Sequence, residues 1–291
     1  MHSGELTWGP LDGAADAGDL AGLAGRCHAA DGGMTEVTLS RYAADGVITT
    51  SGRTAGGELV AAAAVRRLQP GVAVIGLVDP AHRGRGVGGR LLDWGLSAAA
   101  TIADGVTVET EALTAATERL FASRGLRQVF AEDVMRFDLA GAEPPDVALP
   151  PGVRLGEWGS DIAGRFFAVY DASFRDRPGF PGWPAERWVA WTAGDDEFRP
   201  QWSLLATGVD GDDAGFITCA QGWIVQVGVV PAWRGRGLGA ALVAEALRRM
   251  RATGAADALL DVNVNNPAGQ LYTRLGFTLL GRRARFQRTV S

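Results

Sequence analysis

Two stretches decide how this chain is read: LVDPAHRGRGVGGRLL at residues 77–92 and GVVPAWRGRGLGAALV at residues 228–243. Each leads from an apolar segment into a proline, then into R-G-R-G-[VL]-G, then into a helix-like apolar run. Glycine adopts positive φ at no steric cost, so such a loop turns tightly and exposes successive N–H groups. The helix that starts there adds a partial positive charge at its N-terminus. Together they form a cradle for a diphosphate, with Arg83, Arg85, Arg234 and Arg236 as further cationic donors. A Walker loop is excluded because it needs a lysine, and all 28 Lys+Arg positions are arginine. A dinucleotide-binding turn needs G-x-G-x-x-G with an acidic residue about 20 positions on. The spacing here is R-x-x-G-x-G behind a proline.

The two stretches are in register. Pro80 and Pro231 stand 151 residues apart, and the same offset pairs Arg83 with Arg234, Gly86 with Gly237 and Gly88 with Gly239. It also pairs RLFASRGL (119–126) with QLYTRLGF (270–277). A chance Gly/Arg-rich turn would not keep that spacing; a duplicated domain would. Between the copies, AGAEPPDVALPPG (140–152) carries four prolines and reads as a stiff linker. The expected organisation is an N-terminal domain over 1–143, a linker over 144–152 and a C-terminal domain over 153–291.

Periodicity gives each copy strands with interspersed helices. In the first, strand 5–8 precedes a helix over 14–30, strands near 35–40, 46–50 and 58–66, and an apolar strand 72–78. Helix 87–102, strand 106–110, helix 114–125 and one or two strands over 127–139 follow. The second runs strand 153–158, helix 161–173, an aromatic-rich stretch 178–194, then strands near 202–208, 214–219 and 223–230. Helix 238–252, strand 258–264, helix 267–276 and final strands complete it. The fold class is α+β (mixed α/β).

A net charge of −5 offers no basic field to attract nucleic acid or an anionic membrane. Cys27 and Cys219 match no metal-binding or CxxC spacing, so no metal is expected, and a reduced cytoplasmic protein fits. The first residues show no secretory signal, and no apolar run reaches the ~18 residues needed to span a bilayer.

The motifs resemble those of the GCN5-related N-acetyltransferases (GNAT). That family's V-x-P followed by [QR]-x-x-G-x-[GA] stands as VDPAHRGRGVG (78–88) and VVPAWRGRGLG (229–239). Its later signature, Asn then A-x-x-x-Y-x-x-x-G-F, stands as NNPAGQLYTRLGF (265–277). The resemblance implies two tandem GNAT-like domains, each a mostly antiparallel splayed sheet flanked by helices. It implies acetyl-CoA as co-substrate and direct transfer of acetyl to an amine. In the second copy it assigns CoA contacts to Val227, Gly228, Val229, Arg234, Gly235, Arg236, Gly237, Leu238, Gly239, Ala240, Asn265 and Asn266, with the thioester carbonyl near the N–H of Val229. In the first copy it assigns them to Val78, Arg83, Gly84, Arg85, Gly86, Val87 and Gly88.

The family's proton donor to the leaving thiolate matches Tyr272, whose helix must also bury Leu271, Leu275 and Phe277. The first copy has Phe121 there, which cannot donate, and Thr114 and Ala115 in place of Asn265 and Asn266. The expectation is a first copy that binds acyl-CoA without turnover and a second that does the chemistry. Helix-capping logic selects Asn266 while the family spacing selects Asn265; both stay open. An amine with a pKa near 10.4 is neutral only about one part in 2,500 at pH 7, so a base or water chain is needed. Gln226 cannot serve. Asp261, Asp171 and Glu157 read as surface or turn carboxylates, and a water relay is the default.

The partner expected is a small-molecule amine. The tandem layout also resembles that of the mycothiol synthases, which acetylate a cysteinyl amine. Against this, Trp223 occupies the strand position where a carboxylate is expected, and the loop TCAQG (218–222) is short. Phe174, Phe180, Trp183, Trp188 and Trp191 fall where an acceptor pocket would be shaped, although core packing explains most such rings. The reading from another class is a non-catalytic acyl-CoA sensor. Two fused copies can replace a dimer interface, which fits a monomer; a homodimer is the alternative.

Overall fold

The computed structural model describes residues 5–43, 46–69, 71–177 and 179–289. The chain divides into two compact units, one of Met1–Val134 with Leu280–Ser291, the other of Met135–Leu279.

The first unit opens with β1 (Thr7–Gly9), α1 (Ala17–Asp31), α2 (Thr35–Tyr42), β2 (Ile48–Arg53), β3 (Leu59–Arg67) and β4 (Val72–Val78). It continues with α3 (Val87–Ala100), β5 (Gly105–Thr110), α4 (Ala115–Ala122) and most of β6 (Arg127–Asp138). The central part of β3, residues 60–65, is all alanine and valine because both its faces are covered. Ala62 and Ala64 pack with Leu20, Leu23 and Cys27 of α1, while Ala61 and Ala63 pack with Leu91 of α3. Small side chains let helices approach closely on both sides.

Residues 35–40 were expected as a strand and form helix α2. Val37, Thr35 and Thr38 carry the β-branching that suggests a strand. The buried residues, Thr38 and Tyr42, are spaced by four, which is a helical face, and the Tyr42 hydroxyl donates to the Ala62 carbonyl at 3.1 Å.

The second unit contains β7 (Arg154–Glu157), α5 (Ala163–Phe174), α6 (Ala185–Ala193), β8 (Leu204–Thr207), β9 (Asp213–Ala220) and β10 (Trp223–Val229). Then come α7 (Leu238–Ala252), β11 (Asp257–Asn263), α8 (Ala268–Arg274) and the start of β12 (Thr278–Thr289). Ile217, Cys219 and Ile224 face Leu242, Ala246 and Met250 of α7. On the opposite face, Phe216 packs with Phe166, Tyr170 and Trp188 of α5 and α6.

Two features depart from the sequence expectation. Residues 144–152 were expected as a linker, yet Val147 and Leu149 pack against the core of the second unit. Leu280 onward was expected to close the second copy and instead belongs to the first unit. There Ala284–Thr289 pair antiparallel with Thr110–Gly105 of β5. Within the first unit the strand order is β1-β2-β3-β4-β5-β12-β6.

The expected splay is present in both units. Strand β4 pairs with β3 along its whole length but runs parallel with β5 only over Val72–Val74. Strand β10 pairs with β9 from Trp223 to Val229 but with β11 only at Trp223 and Ile224. The ends of both strands therefore carry an open edge.

Candidate active site

In the second unit the β10–β9 ladder fixes which way the open edge points. The Val230 N–H donates to the Ala214 carbonyl at 3.0 Å. Val229 is paired one step along, opposite Gly215. Antiparallel pairs alternate, so the Val229 N–H turns away from β9 to the side that β11 has vacated. The first unit repeats this. The Asp79 N–H donates to the Val60 carbonyl at 2.9 Å, and Val78 lies opposite Ala61.

The loops that follow have the same backbone. Gly84 and Gly235 both have φ of 74°, and Gly86 and Gly237 both have φ of 81°. A Cβ at any of the four would meet nothing within 4 Å, so it is the left-handed φ, not crowding, that calls for glycine. Gly86 and Gly237 immediately precede α3 and α7, whose first N–H groups have no intrahelical acceptor. Val87, Gly88, Leu238, Gly239 and Ala240 lie in those first turns.

The first arginine of each loop has another task than the one expected. Arg234 donates from Nε to the Val229 carbonyl at 3.2 Å and from Nη2 to the Ser173 carbonyl at 3.0 Å. Arg83 donates from Nε to the Val78 carbonyl at 3.0 Å and from Nη1 to Asp31 at 2.8 Å. Both clamp the strand end to a helix of their own unit. Arg236 lies over the Trp233 ring at 5.0 Å, and Arg85 is exposed on its loop.

Tyr272 in α8 is 6% exposed and packs edge-on against Phe277. Burial pushes its hydroxyl up to about 12, with Arg177 opposing, so the group stays protonated at neutral pH. Phe121 occupies the paired place in α4 and packs edge-on against Phe286. The Asn266 side chain accepts from the N–H of Ala268, the first residue of α8, at 3.0 Å. Asn265 instead donates its N–H to Asn263 Oδ1 at 3.0 Å, and Asn263 was not singled out in the sequence. The first copy has no amide at this place, and its helix is capped by a hydroxyl: Thr114 Oγ1 accepts from the Thr117 N–H at 3.2 Å.

The candidate carboxylates are placed as surface groups. Asp171 pairs with Arg175, Glu157 accepts from Arg249 at 2.6 Å, and Asp261 is exposed on β11. What the sequence did not signal is a set of buried neutral groups on the α5 face. Ser173 Oγ, Thr218 Oγ1 and Gln226 Oε1 are buried without a hydrogen-bond partner. Thr218 and Gln226 are opposite one another in the ladder. A Cβ at Gly228, two residues on, would lie 3.0 Å from Ser173 Oγ and 2.6 Å from the Phe216 ring. Only glycine fits there. Of the aromatic run, Trp188 is fully buried and stacked on Tyr170 at 4.9 Å, whereas Trp191 is 49% exposed.

The first unit encloses a cavity of about 420 Å³. Val78, Arg83, Gly84, Gly86, Gly88 and Phe121 are among the residues that line it. Arg41, Glu109 and Glu111 are also among its lining residues. Among the described residues no helix is long and apolar enough to cross a membrane.

Comparison with known proteins bears on both units. The chain matches the acetyltransferase (GNAT) family over residues 32–126 and again over 167–277. It is 31% identical over 278 residues to a mycothiol acetyltransferase of Clavibacter sepedonicus, covering 89% of this chain and 87% of that one. It is 31% identical over 212 residues to that of Nocardia farcinica, covering 69% of each. A GCN5-related N-acetyltransferase structure from Sphaerobacter thermophilus superimposes with a TM-score of 0.75 at 26% identity, over 98% of this chain and 96% of that one. A tandem GNAT protein from the clavulanic acid biosynthesis pathway shares the fold, with a TM-score of 0.64 at 17% identity, over 99% of both chains.

Proposed function

This chain belongs to the acetyltransferase (GNAT) family as a tandem member, and from that premise we propose that its second unit transfers acetyl from acetyl-CoA to the amine of a small molecule. The observation that carries this reading is the Val229 N–H on the open edge of β10, followed directly by the glycine loop and the start of α7. The left-handed glycines and the first-turn N–H groups of α7 fit a diphosphate, and the backbone edge at Val227 and Val229 fits an amide-bearing arm. Acetyl-CoA, when bound, supplies the thioester carbon that the amine attacks. The Val229 N–H donates to its carbonyl oxygen where negative charge develops. Tyr272, held protonated by burial, donates to the departing sulfur.

Among the described residues no carboxylate stands at the unpaired groups of β10, so the proton from the amine leaves through water held by Ser173, Thr218 and Gln226, each with a polar atom lacking a partner. The first unit binds acyl-CoA and does not turn over, because Phe121 has no proton to give. The protein acts in the cytoplasm, without metal, nucleic acid or membrane, and a monomer suffices because each unit carries its own loop.

A second reading is favoured by the relatives named mycothiol acetyltransferase: the acceptor is a cysteinyl amine. Trp223, which pairs with Ala220 and Leu259, stands where that reading expects a carboxylate. Incubating the chain with acetyl-CoA and a panel of amines, cysteinyl amines included, while following thiol release tests both. Release with any amine supports the transferase. CoA binding without release on every amine turns the reading into a sensor, and no CoA binding removes it.

A further inference from the structure

The end of α5 carries a cation that neither the fold nor the proposed chemistry uses. Arg177 stands three residues past Phe174, the last residue of α5. Its N–H donates to the Phe174 carbonyl at 2.9 Å, and its carbonyl accepts from the Phe180 N–H at 3.1 Å, so the turn that bears it is fixed at both peptide groups. The guanidinium is exposed and lies over the Phe174 ring at 4.8 Å.

That ring belongs to a row leading outward from the reacting end of β10. Phe174 packs edge-on against Phe216 at 6.1 Å, and Phe216 is the ring that a Cβ on Gly228 would strike. Gly228 immediately precedes Val229. Ser173, the residue before Phe174, gives its carbonyl to Arg234, which also holds the Val229 carbonyl. The row Phe216, Phe174, Arg177 is therefore anchored at the strand end and reaches solvent at the guanidinium. Tyr272 belongs to α8, which packs on β11, the strand that β10 parts from. Burial pushes the hydroxyls of Tyr170 and Tyr272 up, and the charge on Arg177 opposes both, so it stands within electrostatic reach of α5 and α8 alike.

The neighbouring cations are engaged. Arg175 pairs with Asp171, and Arg234 holds two carbonyls. Among the described residues no carboxylate lies within ion-pair distance of Arg177, the adjacent Asp176 included. A guanidinium presents two parallel N–H groups that match the oxygens of a carboxylate, and stacking on a ring fixes their plane. A phosphate dianion would leave charge unmatched beside a single open cation.

We propose that Arg177 binds a carboxylate on the acceptor, so that the second unit acts on amines that are also acids. This names the acceptor class of the transferase reading and rests on it; the carboxylate contact itself stands on Arg177 and its aromatic row.

Thiol release from acetyl-CoA by the full chain tests it with matched pairs: glycine, β-alanine, γ-aminobutyrate and L-phenylalanine, each against its amide. At least one acid is expected to exceed its amide in kcat/KM by about tenfold or more, chiefly through KM, and Arg177→Gln should abolish that preference. Acid and amide are compared within one variant, so a general loss of folding or of CoA affinity cancels from the ratio. Arg177→Lys keeps the charge without the planar fork and should retain part of the preference. Equal turnover of acid and amide in every pair, wild-type preference in Arg177→Gln, or a preference for O-phosphoethanolamine over β-alanine overturns the proposal. If no amine releases thiol, calorimetric titration of the CoA-loaded chain with the same pairs separates the two readings. Tighter binding of an acid than of its amide, lost in Arg177→Gln, leaves the carboxylate site standing and the transferase reading fallen; no such difference overturns both.

Discussion

The two units share a loop and differ in what surrounds it. Their four left-handed glycines agree in φ to the degree. Around that frame the second unit has Tyr272, Gly228 and a bulge in β10 between Ile224 and Gln226. The first has Phe121, Leu77 and an unbroken β4–β3 register. The first buries two glutamates where the second buries Leu260 and Val262. The backbone of the cradle tolerates little change because positive φ excludes other residues, whereas side chains at the reacting end can diverge without unfolding either unit. On the reading proposed above, the difference separates binding from chemistry.

The largest expected effect attacks that separation directly. Tyr272→Phe should lower kcat by about 100-fold, the low end for loss of a general acid, while Phe121→Tyr in the wild-type background changes it by less than about twofold. Thiol release by the two variants decides it; an unchanged rate in Tyr272→Phe would remove the tyrosine from the mechanism. A smaller effect distinguishes the cradles. Alanine at Gly237 or Gly86 must adopt a φ near 81°, at a cost of about 1–3 kcal/mol. CoA titration should lose one of two sites in each variant, with turnover lost only in Gly237→Ala. Two remaining sites in either would dissolve the parallel.

Smaller still, Gly228→Ala pushes a methyl against Phe216 and Ser173 and should destabilise by about 1–3 kcal/mol through overpacking. Denaturant melts check this. Leu77→Ala at the paired position removes side chain instead of adding it and should leave CoA binding to the first unit intact. The smallest effect lies in pH. Because the Tyr272 pKa is raised by burial to about 12, its contribution to stability is complete below the ordinary tyrosine value and fades as pH rises through about 12. The melting temperatures of wild type and Tyr272→Phe should therefore run parallel to about pH 10 and converge above it. A gap between them that closes already near neutral pH would contradict a buried, protonated hydroxyl.

Much of this was legible in the residues. The proline, the glycine spacing and the offset of 151 fixed both loops and the strand–helix units around them, since positive φ and apolar periodicity leave few alternatives. Helix α2 was misread because its β-branched residues outweighed a face marked by only Thr38 and Tyr42. The direction of the Arg83 and Arg234 side chains was hidden, since a guanidinium serves a phosphate or a carbonyl equally well. The Ser173, Thr218 and Gln226 group was invisible because it forms across α5, β9 and β10. Glu109 and Glu111 gave no signal either. In a strand they read as solvated positions, and only the structure buries them.

Strand β12 lies between β5 and β6 in the sheet order of the first unit. Its residues are translated after the whole of the second unit. The lobe made first therefore waits on the ribosome with two unmatched strand edges, for roughly ten to thirty seconds at ordinary elongation speeds. Such edges invite pairing with neighbouring nascent chains. Messages that stall shortly before codon 280 should yield a protein whose defect lies at its amino-terminal end.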